Sequence, residues 1–255
     1  MNLENAFETG RLYKPLRDLA DAKRDIHSAF TLLPGLRGFW PMSATNENGA
    51  AIDQSGHNQI LVTNGTPVYN FANVPYVDLN GTTDYLSHFD TALYDILGTE
   101  SYIDPSLRGL TCGGWIRPNV TGVSNAGLLS KYGTAGNRSY LLLILNDKVS
   151  MLVSSNGTAQ NTKTHDLALS TGWYFVVGRY VPSTTVDVFV NGDKASLASG
   201  VSASAYNGSA ELQIGTHTNT YLFDGRMSLM FLTATALPDS ILDNLYQTSR
   251  SLFGV

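Results

Sequence analysis

The chain has 255 residues, of which 43% are hydrophobic and only 15% charged, with a formal net charge of −5. That balance supports a full core in one large domain and excludes the basic footprint on which nucleic-acid binding depends. A single cysteine, Cys112, excludes an internal disulfide, and its apolar neighbours Leu110 to Ile116 make it a buried thiol rather than a nucleophile.

Residues 1–35 differ from the rest. Leu12, Leu16, Leu19, Ile26 and Phe30 recur at helical spacing, Pro15 suits a first turn, and Pro34-Gly35 ends the pattern. The spacing predicts an amphipathic helical arm whose apolar stripe must be buried. Two partners are open for it: its own domain, or protein partners in a larger assembly. Met1-Asn2-Leu3-Glu4-Asn5 is polar, with no apolar region behind it, so the expectation is a product made in the cytoplasm without a signal peptide. The longest apolar run, Tyr140 to Leu145, is strand-length and too short for a membrane span.

From Leu36 onward the chain reads as short strands and turns. Gly38-Phe39-Trp40-Pro41-Met42 opens this part. Six Asn-Gly pairs, at 48, 64, 80, 156, 191 and 207, punctuate apolar runs, and Asn146-Asp147-Lys148 reads as another hairpin turn. Val186, Val188 and Val190 alternate with Asp187 and Phe189, which predicts a strand with two differently solvated faces. Thr91 to Gly98 reads as a helical turn. Leu237 to Tyr246, with Pro238 near its start, reads as a short C-terminal helix.

The order of these elements carries more than any one of them. A Trp-led strand (Gly172 to Tyr180) precedes a strand ending in Asn191-Gly192; Leu212-Gln213-Ile214-Gly215 and Phe223-Asp224-Gly225 follow. Over residues 36–250 this succession resembles the laminin G-like, concanavalin A-like lectin/glucanase family. The resemblance implies an all-β, two-sheet antiparallel jelly-roll sandwich over 36–255, with the helical arm 1–35 before it and a short helix at its end.

The resemblance also implies where chemistry would sit. Val77-Asp78-Leu79-Asn80-Gly81-Thr82-Thr83-Asp84 is similar to the family's hairpin beside which many members hold calcium, so Asp78, Asn80 and Asp84 are the candidate metal ligands. The competing reading is that all three are ordinary turn residues. The family often continues with acids after the Phe-Asp-Gly strand, where this chain has Arg226-Met227-Ser228. Glycosidases of this shape carry closely spaced carboxylates on one strand, a spacing missing here, and no nucleophile elbow or phosphate loop occurs.

Aromatic and amide side chains near loops are the remaining candidates. Tyr132, Asn137 and Arg138 lie in one loop-like stretch, His217, Asn219 and Tyr221 in another, with Tyr206 near the second. Together they would form a polar rim for sugars, or be simply solvated loops. Two functions are expected from this reading. One is a non-catalytic particle-surface protein, a phage virion decoration or tail-associated component, anchored by its arm and ending on a virion or released by lysis. The other is a stand-alone carbohydrate-binding lectin module, calcium-assisted if the hairpin site holds. A glycoside-active enzyme is the distant third.

Overall fold

The computed structural model describes residues 24–100 and 103–255. Among the described residues fifteen strands form two antiparallel sheets. The first contains β1 (Leu36–Trp40), β3 (Val68–Asn70), β4 (Tyr76–Asn80), β6 (Arg108–Pro118), β11 (Tyr174–Val181), β12 (Thr185–Val190), β13 (Asp193–Leu197) and β15 (Asp224–Thr235). Its order is β13-β12-β11-β6-β15-β4-β3, with β1 also on β15. The second contains β2 (Val62–Asn64), β5 (Tyr85–His88), β7 (Asn125–Tyr132), β8 (Arg138–Leu145), β9 (Lys148–Ser154), β10 (Gln160–Ala168) and β14 (Leu212–Ile214). These run in the order β10-β9-β8-β7-β14-β5-β2. Two such sheets packed face to face are the jelly-roll sandwich that the resemblance implied.

Between the sheets lies the main core, where Trp40, Val77, Cys112, Ile116, Tyr140, Leu142, Val176, Val188 and Met230 are buried. A second core covers the opposite face of the first sheet. There α1 (24–31) and α2 (Asp239–Phe253) pack Ile26, Phe30, Leu242, Leu245 and Phe253 against Phe39, Trp115, Phe175 and Phe231. The described part of the arm is therefore held by its own domain. Leu12, Leu16 and Leu19, which would continue its apolar stripe, lie outside the described residues.

That helical layer corrects the reading of β12. Both of its faces are dry: the valines enter the inter-sheet core, while Asp187 is 1% exposed and Phe189 3% on the other side. A carboxylate buried to this degree needs a charged partner. Arg179, next to it on β11, supplies one at 2.7 Å and donates Nη1 to the Leu237 carbonyl, 2.7 Å away, and to Asp239 at the start of α2. One guanidinium thus fastens the helix to the sheet.

Turn chemistry is as expected at two hairpins. Asn191 and Gly192 (φ 52° and 87°) join β12 to β13, and Asn146 and Asp147 (φ 49° and 61°) join β8 to β9; both pairs have the two positive φ values of a type I′ turn. Two other Asn-Gly pairs use a different device. At Asn80 and Asn156 the side-chain oxygen accepts backbone N–H groups two and three residues on. The segment 91–98 makes two tight turns, closed by Tyr94 N to Thr91 O and Ile96 N to Tyr94 O, each at 2.9 Å, and no helix, with the Tyr94 ring buried in the core. At the C terminus α2 runs on to Phe253, about two turns beyond Tyr246, because Phe253 stacks on Trp115 at 4.1 Å. Among the described residues no helix is long and apolar enough to cross a membrane.

Candidate functional site

The β7–β8 hairpin and the loop from β14 to β15 meet along β7 of the second sheet. Their meeting is built in at Gly127 on β7, where any Cβ would lie 2.2 Å from the Thr216 backbone carbon. Without a side chain there, the Thr216-His217 segment lies flat across β7. It is tied down by Ser130 Oγ donating to Thr216 O at 2.9 Å and by Gly127 N donating to Tyr221 O at 3.0 Å. Lys131, wholly buried, braces the wall behind: its ammonium contacts Asp90, lies 3.2 Å from Asp95, and donates to the carbonyls of Gly208 and Ala210.

Six of the seven residues expected near the rim, Tyr132, Asn137, Arg138, His217, Asn219 and Tyr221, line the two adjoining depressions that result. The smaller, about 190 Å³, is walled by Asn137, Glu211, Gln213 and Asn219. The larger, about 530 Å³, is walled by Asn125, Arg138, Gln160, His217, Thr220 and Tyr221. Tyr132, Gly133, Thr134 and Thr218 line both and form the ridge between them. Tyr206 is not among the lining residues; its ring sits near Gly157 instead.

Three rings form the floor of the larger depression. His217 stacks on Tyr221 (4.5 Å, 17°) and meets Tyr132 edge-on (5.7 Å, 86°). The Arg138 guanidinium lies over Tyr132 at 5.3 Å, and Gln160 donates to the Tyr132 hydroxyl. His217 contacts Asn125 Oδ1 through Nε2 at 3.0 Å, which makes Nε2 the donor and leaves Nδ1 a bare acceptor with no partner among the described residues. Burial pushes the imidazole down to about 4, with the Arg138 charge acting in the same direction. The ring is therefore neutral at physiological pH. Tyr221 is 42% exposed. His217 covers one of its faces, so that exposure belongs to the other face and the edge.

Sequence reasoning found the aromatics, Asn137, Arg138 and Asn219, but not Asn125, Thr134, Gln160, Glu211, Gln213 or Thr218. Gln160 starts β10, and only the sheet order β10-β9-β8-β7 brings it here, whereas Asn125 opens β7, the strand that ends at Tyr132. Gln213 was legible as the outward residue between the inward Leu212 and Ile214.

The expected calcium ligands do not fit a metal ion. Arg226 stands opposite Asp78 in the β15–β4 ladder, and its Nε is 3.0 Å from Asp78 Oδ2, while Asn119 donates to Oδ1 at 3.1 Å. The oxygen of Asn80 accepts from the backbone N–H groups of Thr82, Thr83 and Asp84. Asp84 is buried, its Oδ1 accepting from Thr66 N at 2.9 Å and from the Thr83 hydroxyl at 3.0 Å. A guanidinium takes the cation's role at the first residue, and turn chemistry occupies the others. Among the described residues no group of three His, Cys, Asp or Glu is placed to hold a metal. Chelation is accordingly expected to leave the melting temperature unchanged; a fall of several degrees in EDTA, reversed by calcium, would contradict this assignment.

A two-sheet jelly roll with a polar, aromatic-lined depression beside β7 is a lectin-like sandwich. The chain belongs to the concanavalin A-like lectin/glucanases superfamily, whose sequence profile matches residues 80–240. No curated protein matches it in sequence. Solved structures do match in fold. The binding domain of Paraclostridial Mosquitocidal Protein 1 aligns with TM-score 0.64 at 13% identity, over 83% of this chain and 52% of that one. The binding domain of botulinum neurotoxin DC in complex with SialylT aligns at 0.64 and 12%, over 88% and 52%. The same type of domain in complex with rat synaptotagmin II aligns at 0.63 and 13%, over 86% and 52%. This chain thus spans about half the length of these structures, and at such identities the likeness is one of fold.

Proposed function

We propose that this chain is a non-catalytic recognition module that binds surface carbohydrate in the depression beside the β7–β8 turn. The observation that carries this reading is the convergence of Tyr132, His217 and Tyr221 with Asn125, Asn137, Gln160 and Asn219. Flat aromatic surface beside amides and hydroxyls matches the alternating apolar faces and hydroxyl edges of sugars. The likeness to domains seen with SialylT and with synaptotagmin II supports recognition over catalysis. Glu211 is the lone carboxylate among the lining residues, and glycoside cleavage by the usual route needs a facing pair. Binding of the full chain to a glycan panel, and its loss in Tyr221→Ala, tests the proposal.

Display on a particle surface, as a virion decoration or tail-associated component, is compatible with this reading. It is favoured by the low charge content and the many hydroxyl and amide side chains. An anchor in the arm would have to lie before residue 24, because the described part of the helix buries Ile26 and Phe30 on its own sandwich.

A further inference from the structure

We infer that the larger depression takes an acidic sugar whose anionic group seats on Arg138; the inference rests on the recognition reading above and names the ligand class of that same site. Arg138 is the one formally charged side chain among the described residues that line this depression. Inside the protein its guanidinium is poorly satisfied. Nε is shut off from water with no acceptor among the described residues, and Nη1 reaches only the Thr158 carbonyl, at a long 3.5 Å. Arg179 and Arg226 hold carboxylates at 2.7 and 3.0 Å. No such partner meets Arg138 among the described residues. A charged donor withdrawn from water and left without an acceptor is costly, and an acceptor brought by a ligand removes part of that cost.

What holds Arg138 in place is the Tyr132 ring, 5.3 Å from the guanidinium carbon. Tyr132 is itself fixed, edge-on against His217 and by Gln160 at its hydroxyl. Stacking on a ring sets the plane of a guanidinium and leaves N–H groups along its edge open to an outside acceptor. That fork matches the paired oxygens of a carboxylate or sulfate. The second charge at the ridge gives the ligand a direction. Glu211 lines the smaller depression and not the larger. An acidic group is therefore drawn to the Arg138 side and repelled on the Glu211 side. The neutral remainder of the sugar meets the amides of Asn137, Gln213 and Asn219, and the exposed face of Tyr221 supports the ring.

Full-length protein, wild type and variants, is applied to matched sets of sugars: neutral oligosaccharides, the same chains ending in a sialic or uronic acid, and the same chains sulfated. Acidic members are expected to bind at least about tenfold more tightly than their neutral parents, the two acidic arms showing which anion the site takes. That preference should shrink about threefold or more as salt rises from about 0.05 M to about 0.5 M. Arg138→Gln is expected to erase the preference while keeping the melting temperature within a few degrees of wild type, because it loses one ring contact and a long hydrogen bond. Arg138→Lys, which keeps the charge without the fork, should retain part of the preference. Neutral members that bind as tightly as acidic ones, or an Arg138→Gln variant that keeps the wild-type preference, would overturn this inference and leave the recognition reading standing. A blank on every member would overturn both.

Discussion

Replacing Lys131 with methionine is expected to destabilise the protein by about 3 kcal/mol, a fall in melting temperature of roughly 10 °C for a chain of this size. Methionine keeps the aliphatic stem and its packing, so the loss isolates the ammonium. That ammonium is the common partner of Asp90, Asp95 and the carbonyls of Gly208 and Ala210, drawn from two separate loops. Removing it leaves both carboxylates without their common cation, beside unpaired carbonyls. The expected loss sits at the low end for a broken buried pair because Asp90 and Asp95 keep 31% and 22% exposure and regain some hydration. Ala210 and Glu211 belong to the wall of the smaller depression, so ligand binding should weaken along with stability. Chemical denaturation of the two proteins measures the difference; a loss below about 1 kcal/mol would mean that the lysine is not the brace described here.

Phe30→Ala carries an effect of similar size and a different lesson. Phe30 is fully buried, stacked on Phe39 at 5.1 Å and edge-on to Phe231 at 5.6 Å. Truncating such a ring costs about 3–5 kcal/mol from lost transfer energy and the cavity left behind. A melting temperature lowered by about 10 °C or more in the full chain is the expected result. Were this helix an element that docks only on a neighbouring molecule, the same substitution would leave the isolated protein's stability unchanged and alter only its assembly.

The fold was legible because its signals are local and ordered. Asn191-Gly192 and Asn146-Asp147 mark hairpins by backbone chemistry that few other residue pairs satisfy. The second face of β12 was not legible: Asp187 looks like a solvent-facing residue, and only its distant partner Arg179 and the covering helix make it a buried one. The same limit applies to Tyr94, whose segment has helical spacing but is held open by a ring in the core. At the calcium hairpin the local pattern Asp-x-Asn-Gly suggested ligands, while the departure already visible at Arg226 was the decisive residue. For the recognition rim, aromatic and amide composition identified the two loops. The place of Gln160 depends on sheet order, which a single sequence does not display.

Comparing wild type and Tyr221→Ala on the same glycan panel tests the central claim most directly. Tyr221 is partly exposed and outside the main cores, so its truncation should leave the melting temperature within a few degrees of wild type. The claim of a sugar-binding depression floored by His217 and Tyr221 predicts binding by the wild type and a loss of at least about tenfold in the variant. Equal binding by the two proteins would place any glycan site elsewhere on the sandwich, and no binding by either would contradict carbohydrate recognition at this surface.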